Sequence, residues 1–296
     1  MTPEELEKWR KAGKIASQAL AYGVTLIKKG ACMRDVCDQV DEKIVELGAL
    51  PAWPAQIGND HVAAHFTPDQ NDESLFNQEV VSLDVGAHVD GYVGDCAITV
   101  DLSGKWTDLV KASREALTVA SKMLAPGIAV GELGTTIQEV IASYGFTPVR
   151  NLSGHGISRF VIHDSPGIPN HANTNKQVLK EGQVVALEPF ATTGRGLVRD
   201  ADSCNLFSFF QAKPVRSPYA REVLAFIQKK YGPLPFTTRW ISRELGLGKA
   251  RLGIKELVIA GALHPHPPLV EVSHGMVTVE ENTFLIGEKT ETLTKA

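Results

Sequence analysis

Two stretches of the chain repeat the same arrangement of residues, and this duplication constrains the fold more than any other feature. The segments GACMRDVCDQVDEKIVELG (30–48) and GIAVGELGTTIQEVIASYG (127–145) have equal glycine-to-glycine lengths and matching apolar positions. Later in each half, VVSLDV corresponds to VVALEP. A unit that recurs in this way predicts an α+β fold of two helix-plus-sheet halves related by a pseudo-twofold axis. Equivalent carboxylates, Asp84 and Glu188, would then face each other across that axis.

Local signals place helices in both halves. Thr2 and Glu5 have the spacing of a capping box, and apolar residues then recur at helical spacing up to Gly30. Glycines after the later apolar runs predict where those helices stop. After the first helix, the pattern predicts helices at about 33–47, 108–124 and 131–144.

The segment 213–262 differs from the rest of the chain in composition. It holds ten Lys and Arg against three Asp and Glu, a charge of +7 within a chain whose net charge is −4. Three short helical patterns interrupt the alternation of helices and strands here. We therefore predict one domain over 1–296, with an inserted, winged-helix-like helical subdomain at 213–262. The basic residues indicate either a solvated face or a docking patch for a polyanion such as ribosomal RNA.

The overall composition is that of an ordinary globular protein, with 43% hydrophobic and 22% charged residues. No apolar run approaches about 18 residues, and the N-terminus begins directly with a helix. We therefore expect a cytoplasmic protein without a membrane segment. The four cysteines lack the paired spacing of a zinc site, so we expect all of them to be reduced.

A predicted hairpin at 80–100 carries the first candidate ligands. Asp90 and Gly91 supply the turn, and the runs on either side predict antiparallel strands. Asp84 and Asp95 lie at nearly equal distances from this turn, so the hairpin would bring them roughly opposite each other, give or take a bulge. Like charges there repel unless a cation lies between them. The simpler alternative is that both aspartates only cap turns.

Further candidates lie in the second half of the chain. His155 is flanked by glycines, which allow close backbone approach, and His163 follows eight residues later. A histidine taken alone is more often a hydrogen-bonded residue than a ligand. Glu280 and Glu281 would point to opposite faces of the last strand, so only one can enter an interior site. The HPHPP run at 264–268 is interpreted as a rigid linker.

The collected candidates form an oxygen-dominated set: Asp84, Asp95, His155, Glu188 and one of Glu280 or Glu281. Such hard ligands suit Mn, Fe(II), Co or Zn, whereas a structural zinc site would use thiolates. Four negative charges in one pocket require about two divalent cations, which can share a hydroxide at neutral pH. The pattern therefore predicts metal-assisted hydrolysis.

Five segments resemble the successive signatures of type II methionine aminopeptidases, of the short archaeal kind. They are PAWPAQIGNDHVAAHFTP, LDVGAHVDGYVGD, NLSGHGISRFVIHDSPGIPN, VVALEPFATTGRG and PPLVEVSHGMVTVEENT. The resemblance covers essentially the whole chain and implies the pita-bread fold, in agreement with the duplication. It also implies a dinuclear-metal peptidase that removes the initiator methionine from nascent polypeptides by metal-activated hydroxide attack. The chain has Val279 and Asn282 where the family has glutamine and histidine.

The resemblance implies a role for each candidate ligand. Asp84 would chelate one metal ion, and His155 and Glu188 would bind the other. Asp95 and Glu281 would bridge the two ions. The resemblance thereby selects Glu281, rather than Glu280, as the metal ligand.

The same resemblance implies residues that contact the substrate. His65 resembles the histidine that contacts the scissile amide, and His163 the one that stabilises the tetrahedral intermediate. Glu188 would carry a proton to the leaving amine. Trp53 and Ile162 would line an apolar pocket for the methionine side chain.

Two alternative functions stay open. A pita-bread relative could act on X-Pro peptides or on another substrate. A non-catalytic relative could use its basic segment to bind ribosomes or RNA, although such relatives lose metal ligands and all five are present here. We expect a monomer, and a weak ribosome contact through the basic segment could coexist with catalysis.

Overall fold

The computed structural model describes residues 1–295, which form seven helices and eighteen strands. The helices are α1 (Pro3–Leu26), α2 (Met33–Glu46), α3 (Thr107–Ser121), α4 (Val130–Ser143), α5 (Pro218–Lys230), α6 (Thr238–Leu245) and α7 (Leu247–Ile259). The strands of the first half are β1 (Leu50–Pro51), β2 (Gln56–Asn59), β3 (Val62–Ala64), β4 (Val80–Val89) and β5 (Tyr92–Asp101). The next seven are β6 (Thr147–Pro148), β7 (Ser153–Ser158), β8 (Val161–Pro169), β9 (Val184–Leu187), β10 (Phe190–Thr192), β11 (Val198–Asp200) and β12 (Leu206–Phe209). The last six are β13 (Phe236–Thr237), β14 (Leu263–Pro265), β15 (Leu269–Glu271), β16 (Val277–Val279), β17 (Asn282–Leu285) and β18 (Glu291–Thr292).

The helices of both halves lie where the sequence predicts them, with small shifts at their ends. The capping box of α1 is formed: the Glu5 N–H donates to Thr2 Oγ1 (3.3 Å) and the Thr2 N–H donates to Glu5 Oε2 (2.6 Å). α3 ends at Ser121 rather than near 124, because the amide of Met123 bonds only three residues back, to Ala120.

The first half packs α1 and α2 against the long hairpin of β4 and β5. β4 lies between β1 and β2 and also pairs with β5. α1 approaches this hairpin very closely, because a Cβ built on Gly94 of β5 would lie 2.4 Å from the Cα of Gly13. Buried aliphatic side chains from the helices and the hairpin, such as Val40 and Leu83, form one core cluster.

The second half repeats this arrangement with α3, α4 and a five-stranded sheet in the order β18-β17-β9-β7-β8. Its separate core cluster joins apolar residues of the two helices to those of the sheet, among them Leu133, Ile137 and Val185. β17 also contacts β5, and the backbone of Glu281 bridges to Ala97, so the last strands connect the two halves. The predicted duplication is thus visible in the fold.

The basic segment forms a body with its own apolar core. α5, α6 and α7 surround buried residues that include Val223, Ile241 and Leu257, and β12, β13 and β14 form a small antiparallel sheet beside them. Three helices with such a sheet resemble a winged helix. The boundaries 213–262 stay a prediction, since β12 and β14 lie outside them in the same sheet as β13.

Much of the positive charge of this segment is already paired. Five of its ten basic side chains contact carboxylates: Lys230, Arg239, Arg243, Lys249 and Arg251. Three of these side chains, Arg239, Arg243 and Arg251, reach carboxylates of the first half, at Asp38, Asp41 and Asp69. The basic composition therefore serves in part to join the segment to the rest of the molecule.

Two expectations from composition can be compared with the structure. All four cysteines are free thiols, as predicted, and Cys37 and Cys96 are buried. Within residues 1–295, none of the helices combines the length and the apolar character that a bilayer crossing requires.

Candidate metal centre

The hairpin places two carboxylates on one face of the first sheet. Asp84 of β4 lies opposite Ala97 of β5, and Asp95 lies opposite Gly86. The prediction that the two aspartates lie roughly opposite each other holds to within two positions, and the two-residue turn fixes that offset. The offset is even, so both side chains still share a face, as diagonal neighbours.

The two adjacent glutamates diverge at the break between β16 and β17. Glu281 is buried, and its N–H donates to the carbonyl of Ala97 (2.9 Å), which brings its side chain beside Asp95. Glu280 points away from this cluster, and its Oε1 lies 3.3 Å from Arg114 Nε. The structure thus brings Glu281, and not Glu280, to the hairpin carboxylates.

The second half contributes His155 from β7 and Glu188 from the end of β9. His155 Nε2 lies 3.7 Å from Asp95 Oδ2 and 3.6 Å from Glu188 Oε1. Ligand atoms of Asp95, His155 and Glu281 all lie within 4.8 Å of one another. These positions follow from the sheet, in which β9 pairs with both β7 and β17.

Burial raises the pKa of every carboxylate in this cluster, and neighbouring negative charges add to the rise at Asp95, Glu188 and Glu281. Burial raises the pKa of Asp84 to about 7, and the Trp53 indole N–H, which donates to Asp84 Oδ1 (3.1 Å), opposes that shift. The pKa values of Asp95, Glu188 and Glu281 lie well above the ordinary range, first because of burial and then because of the neighbouring negative charges.

This donor set fits divalent metal ions. Among residues 1–295, no Lys or Arg forms an ion pair with any of the four carboxylates, and the one basic side chain within 4 Å of them is His155. Burial lowers the pKa of His155 to about 3, so its ring is neutral. His155 Nδ1 lies 3.2 Å from the carbonyl of Gly156, which places the ring proton on Nδ1 and leaves the Nε2 lone pair facing the carboxylates. Carboxylates and a neutral imidazole are ligands for Mn, Fe(II), Co or Zn.

Two more histidines, His163 and His65, lie near His155. The His163 ring lies 4.5 Å from the ring of His155, centroid to centroid, and its partial desolvation there lowers its pKa. His65 directly follows β3, and its backbone N–H donates to Gln56 Oε1 (2.8 Å). Burial and the nearby His163 lower the pKa of His65 to about 4, so this ring is also neutral. Its Nδ1 is buried and, over the described part of the chain, has no hydrogen-bond partner.

Trp53 and Ile162 lie together in one apolar cluster. The Trp53 ring lies so close to Gly86 that a Cβ there would come within 2.4 Å of ring carbons. Glycine at this position therefore makes room for the indole. Since the same indole donates to Asp84, Trp53 links the apolar wall to the carboxylates.

A model of metallopeptidase family M24 matches residues 7–206. The chain belongs to metallopeptidase family M24. The M24 match includes Asp84, Asp95, His155 and Glu188, whereas Glu281 lies beyond it.

Relatives of this M24 chain agree with the resemblance predicted from its motifs. A methionine aminopeptidase of Methanocaldococcus jannaschii is 44% identical over 289 residues, which cover 97% of each chain. The solved methionine aminopeptidase of Thermotoga maritima has a TM-score of 0.74 at 26% identity and covers 100% of this chain and 98% of its own. A thermophilic Arx1 structure has a TM-score of 0.87 at 19% identity, with 99% and 91% covered, a likeness that shows the fold alone. The resemblance to methionine aminopeptidases and the pita-bread fold are confirmed.

The M24 cleft also contains residues that sequence reasoning missed. The His266 ring lies 5.9 Å from that of His65, and His266 Nε2 lies 2.9 Å from Ser208 Oγ. Interpreting HPHPP only as a linker is therefore wrong for His266, although its two histidines were a visible signal. Thr283 Oγ1 accepts from the N–H of Asp95 (2.9 Å) and donates to its carbonyl (2.8 Å). No local signal predicts that contact, because it joins residues 188 positions apart.

Proposed function

We propose that this chain is an aminopeptidase that removes the N-terminal methionine from nascent polypeptides with two divalent metal ions. The observation that carries the proposal is the cluster of four carboxylates and one neutral histidine, for which residues 1–295 supply no Lys or Arg counter-ion. A full-length relative named methionine aminopeptidase supports this choice of substrate.

The five ligands divide naturally between two ions. Asp84 would hold one ion, and His155 and Glu188 would hold the other. Asp95 suits a bridging position, because it is the diagonal neighbour of Asp84 and also lies 3.7 Å from His155. Glu281, which contacts Asp95, would bridge as well. When bound, two such ions would polarise the scissile carbonyl and lower the pKa of a water molecule enough for attack at neutral pH.

The side chains around this centre would handle the proton and the substrate amide. Glu188 would carry a proton to the leaving amine, and its side chain is 15% exposed whereas that of Asp95 is 4% exposed. His65 is neutral and would contact the scissile amide. His163, which lines the cleft next to His155, would stabilise the oxygen of the tetrahedral intermediate.

The substrate side chain would lie against Trp53 and Ile162. These residues form an apolar wall, which suits the flexible thioether of methionine. The free α-amino group of the substrate would approach Asp84, whose Oδ1 already accepts the Trp53 N–H. One aromatic residue would thus orient both the side chain and the amino end of the substrate.

A metal add-back assay tests the proposal. The protein would be stripped of metal, and a Met-Gly-Met peptide would be supplied with Co(II), Mn(II) or Fe(II). We expect release of methionine only with metal, and no release by Asp95→Ala, whose folding circular dichroism would check. An X-Pro dipeptide serves as the comparison substrate for the alternative M24 activity. Metal binding without methionine release would reject the substrate, and absence of metal binding would reject the whole proposal.

The remaining partner predictions follow from this function. Initiator methionines occur where chains are synthesised, so we propose a cytoplasmic location. We also propose that the protein is a monomer. A weak ribosome contact through the basic segment would have to use its unpaired cations, such as Arg216, Lys229 and Lys255, which are exposed and have no carboxylate partner among the described residues. If charge removal at these three positions leaves co-sedimentation with ribosomes unchanged, the contact is rejected.

A further inference from the structure

The loop that leaves His65 is held by arginines from elsewhere in the chain. His65 itself has φ +67°, a left-handed conformation that is strained for residues other than glycine and persists only when its surroundings enforce it. Three arginines contact the next five residues. Arg239 Nη1 donates to Thr67 Oγ1 (3.1 Å) and to the carbonyl of Pro68. Arg251 Nη2 lies 2.7 Å from Asp69 Oδ2, and Arg34 Nη1 donates to the carbonyl of Gln70 (3.1 Å). Two of these three arginines belong to α6 and α7 of the basic segment.

Arg239 is the most deeply buried of these arginines. Its side chain is 0% exposed, its Nε lies 2.8 Å from Asp38 Oδ1, and its Nη2 lies 3.5 Å from Asp41 Oδ2. Asp41 in turn accepts hydrogen bonds from the Trp240 indole (3.0 Å) and from the backbone N–H of Ala55 (2.9 Å). The guanidinium fork thus joins α2, α6 and the loop after His65, which a lysine could not do with a single ammonium group.

These contacts lie close to the proposed substrate-binding groups. Thr67 is 1% exposed and stands two residues after His65, while Ala55 stands two residues after Trp53. A displacement of about 1 Å at a group that orients substrate can reduce turnover by about 10²-fold. Arg239 therefore lies where it can control the orientation of the His65 ring without touching substrate.

We infer that Arg239 is a positioning residue for His65, through which the basic segment sets the orientation of an imidazole in the cleft. The inference rests on the role proposed above for His65. It gives the basic segment a function within the enzyme itself, since α6 supplies a contact that neither half of the pita-bread fold contains.

Three variants of the metal-loaded enzyme test the inference. Arg239→Gln removes the buried contacts, and Thr67→Val removes only the acceptor on the loop. Arg243→Gln is the matched control, because Arg243 lies on the same helix and also contacts Asp38 but does not reach the loop. We expect kcat to fall about 10²-fold in R239Q and about tenfold in T67V with little change in KM, and to stay within about twofold in R243Q. If R239Q does not fold, T67V decides.

The same substitutions in a His65→Ala background separate positioning from loss of folded protein. If Arg239 and Thr67 act through His65, they have nothing left to position there, and neither R239Q nor T67V lowers kcat further. If R239Q or T67V instead reduced the fraction of folded enzyme, each would lower kcat in the H65A background by the same factor as in the wild-type background. Unchanged kcat in both single variants, or multiplicative losses in the H65A background, would overturn the inference.

A measurement that needs no activity keeps this inference separate from the proposed function. The ¹⁵N resonances of the His65 ring, assigned by their absence in H65A, should shift in R239Q and T67V and stay in place in R243Q. If the wild-type enzyme released no methionine, the proposed function would fail and the resonances would still decide the inference. Unshifted resonances in R239Q and T67V would overturn it.

Discussion

Two clusters of buried carboxylates in this molecule differ in how their charge is balanced. Between α2 and α6, Asp38 and Asp41 face Arg239, which is fully buried with them. At the candidate metal centre, four carboxylates lie together with a neutral histidine, and no Lys or Arg of the described residues pairs with them. The first cluster is neutralised within the chain, and the second requires cations from outside.

The pKa values express the same difference. Burial raises the pKa of Asp41 only to about 6, because the positive charge of Arg239 opposes the shift. The pKa of Asp95 rises well above its ordinary range, because Asp84 adds negative charge to the effect of burial. A buried acidic group therefore indicates a metal site only where the fold supplies no buried cation.

The largest effect is expected at the centre itself. Glu281→Gln should reduce peptidase activity by about 10³-fold or more, since changes beside metal ligands alone cost about 10–100-fold. Glu280→Gln is the matched control, because that side chain faces Arg114 and points away from the cluster. Activity and metal affinity of the two variants, measured side by side, check this. Equal losses in both would remove the distinction between the two glutamates.

Substitution of Arg239, the cation of the cluster between α2 and α6, should lower the stability of the fold. Arg239→Gln leaves the buried Asp41 without a cation and leaves Asp38 only its contact with the exposed Arg243. We expect a loss of about 3–5 kcal/mol in the free energy of unfolding. Urea denaturation of the metal-free protein measures it. A loss below about 1 kcal/mol would show that this cluster, like the metal centre, does not depend on a cation from the chain.

In the metal-free protein, removing a charged side chain from the metal centre should stabilise the fold, whereas removing Arg239 destabilises it. Asp84→Asn removes a carboxylate whose ionised form burial disfavours, so it should raise the free energy of unfolding. The pKa of Asp84 rises from 3.8 to about 7 on folding, so wild-type stability from this group is complete below pH 3.8 and is lost as pH rises through about 7. The advantage of Asp84→Asn should therefore be larger at pH 8 than at pH 5, and saturating Mn(II) should reverse it. An advantage independent of pH would contradict the assignment.

The smallest effect on stability is expected at Arg243, at the exposed edge of the cluster between α2 and α6. Arg243 also contacts Asp38, but its side chain is 40% exposed, and water screens the pair. Arg243→Gln should cost less than about 1 kcal/mol, measured in the same urea series. A loss as large as that of Arg239→Gln would mean that exposure does not separate the two arginines.

Much of the fold follows from signals within short segments. The capping box, the glycine stops and the Asp-Gly turn predict helices and a hairpin that the structure contains, because these signals act over a few residues. The register of the hairpin was predicted less well. Counting residues from the turn placed Asp84 roughly opposite Asp95, and the actual pairing places it two positions away, opposite Ala97.

The sequence by itself determined the duplicated halves, the family and the residue types available as ligands, because periodicity and motifs are properties of neighbouring residues. Only the tertiary structure decided which carboxylates have a counter-ion. Arg239 reaches Thr67 across 172 positions, and His266, interpreted from its prolines as part of a linker, lies beside His65. Charge balance in a low-dielectric interior depends on distances between such remote side chains, and no local pattern contains them.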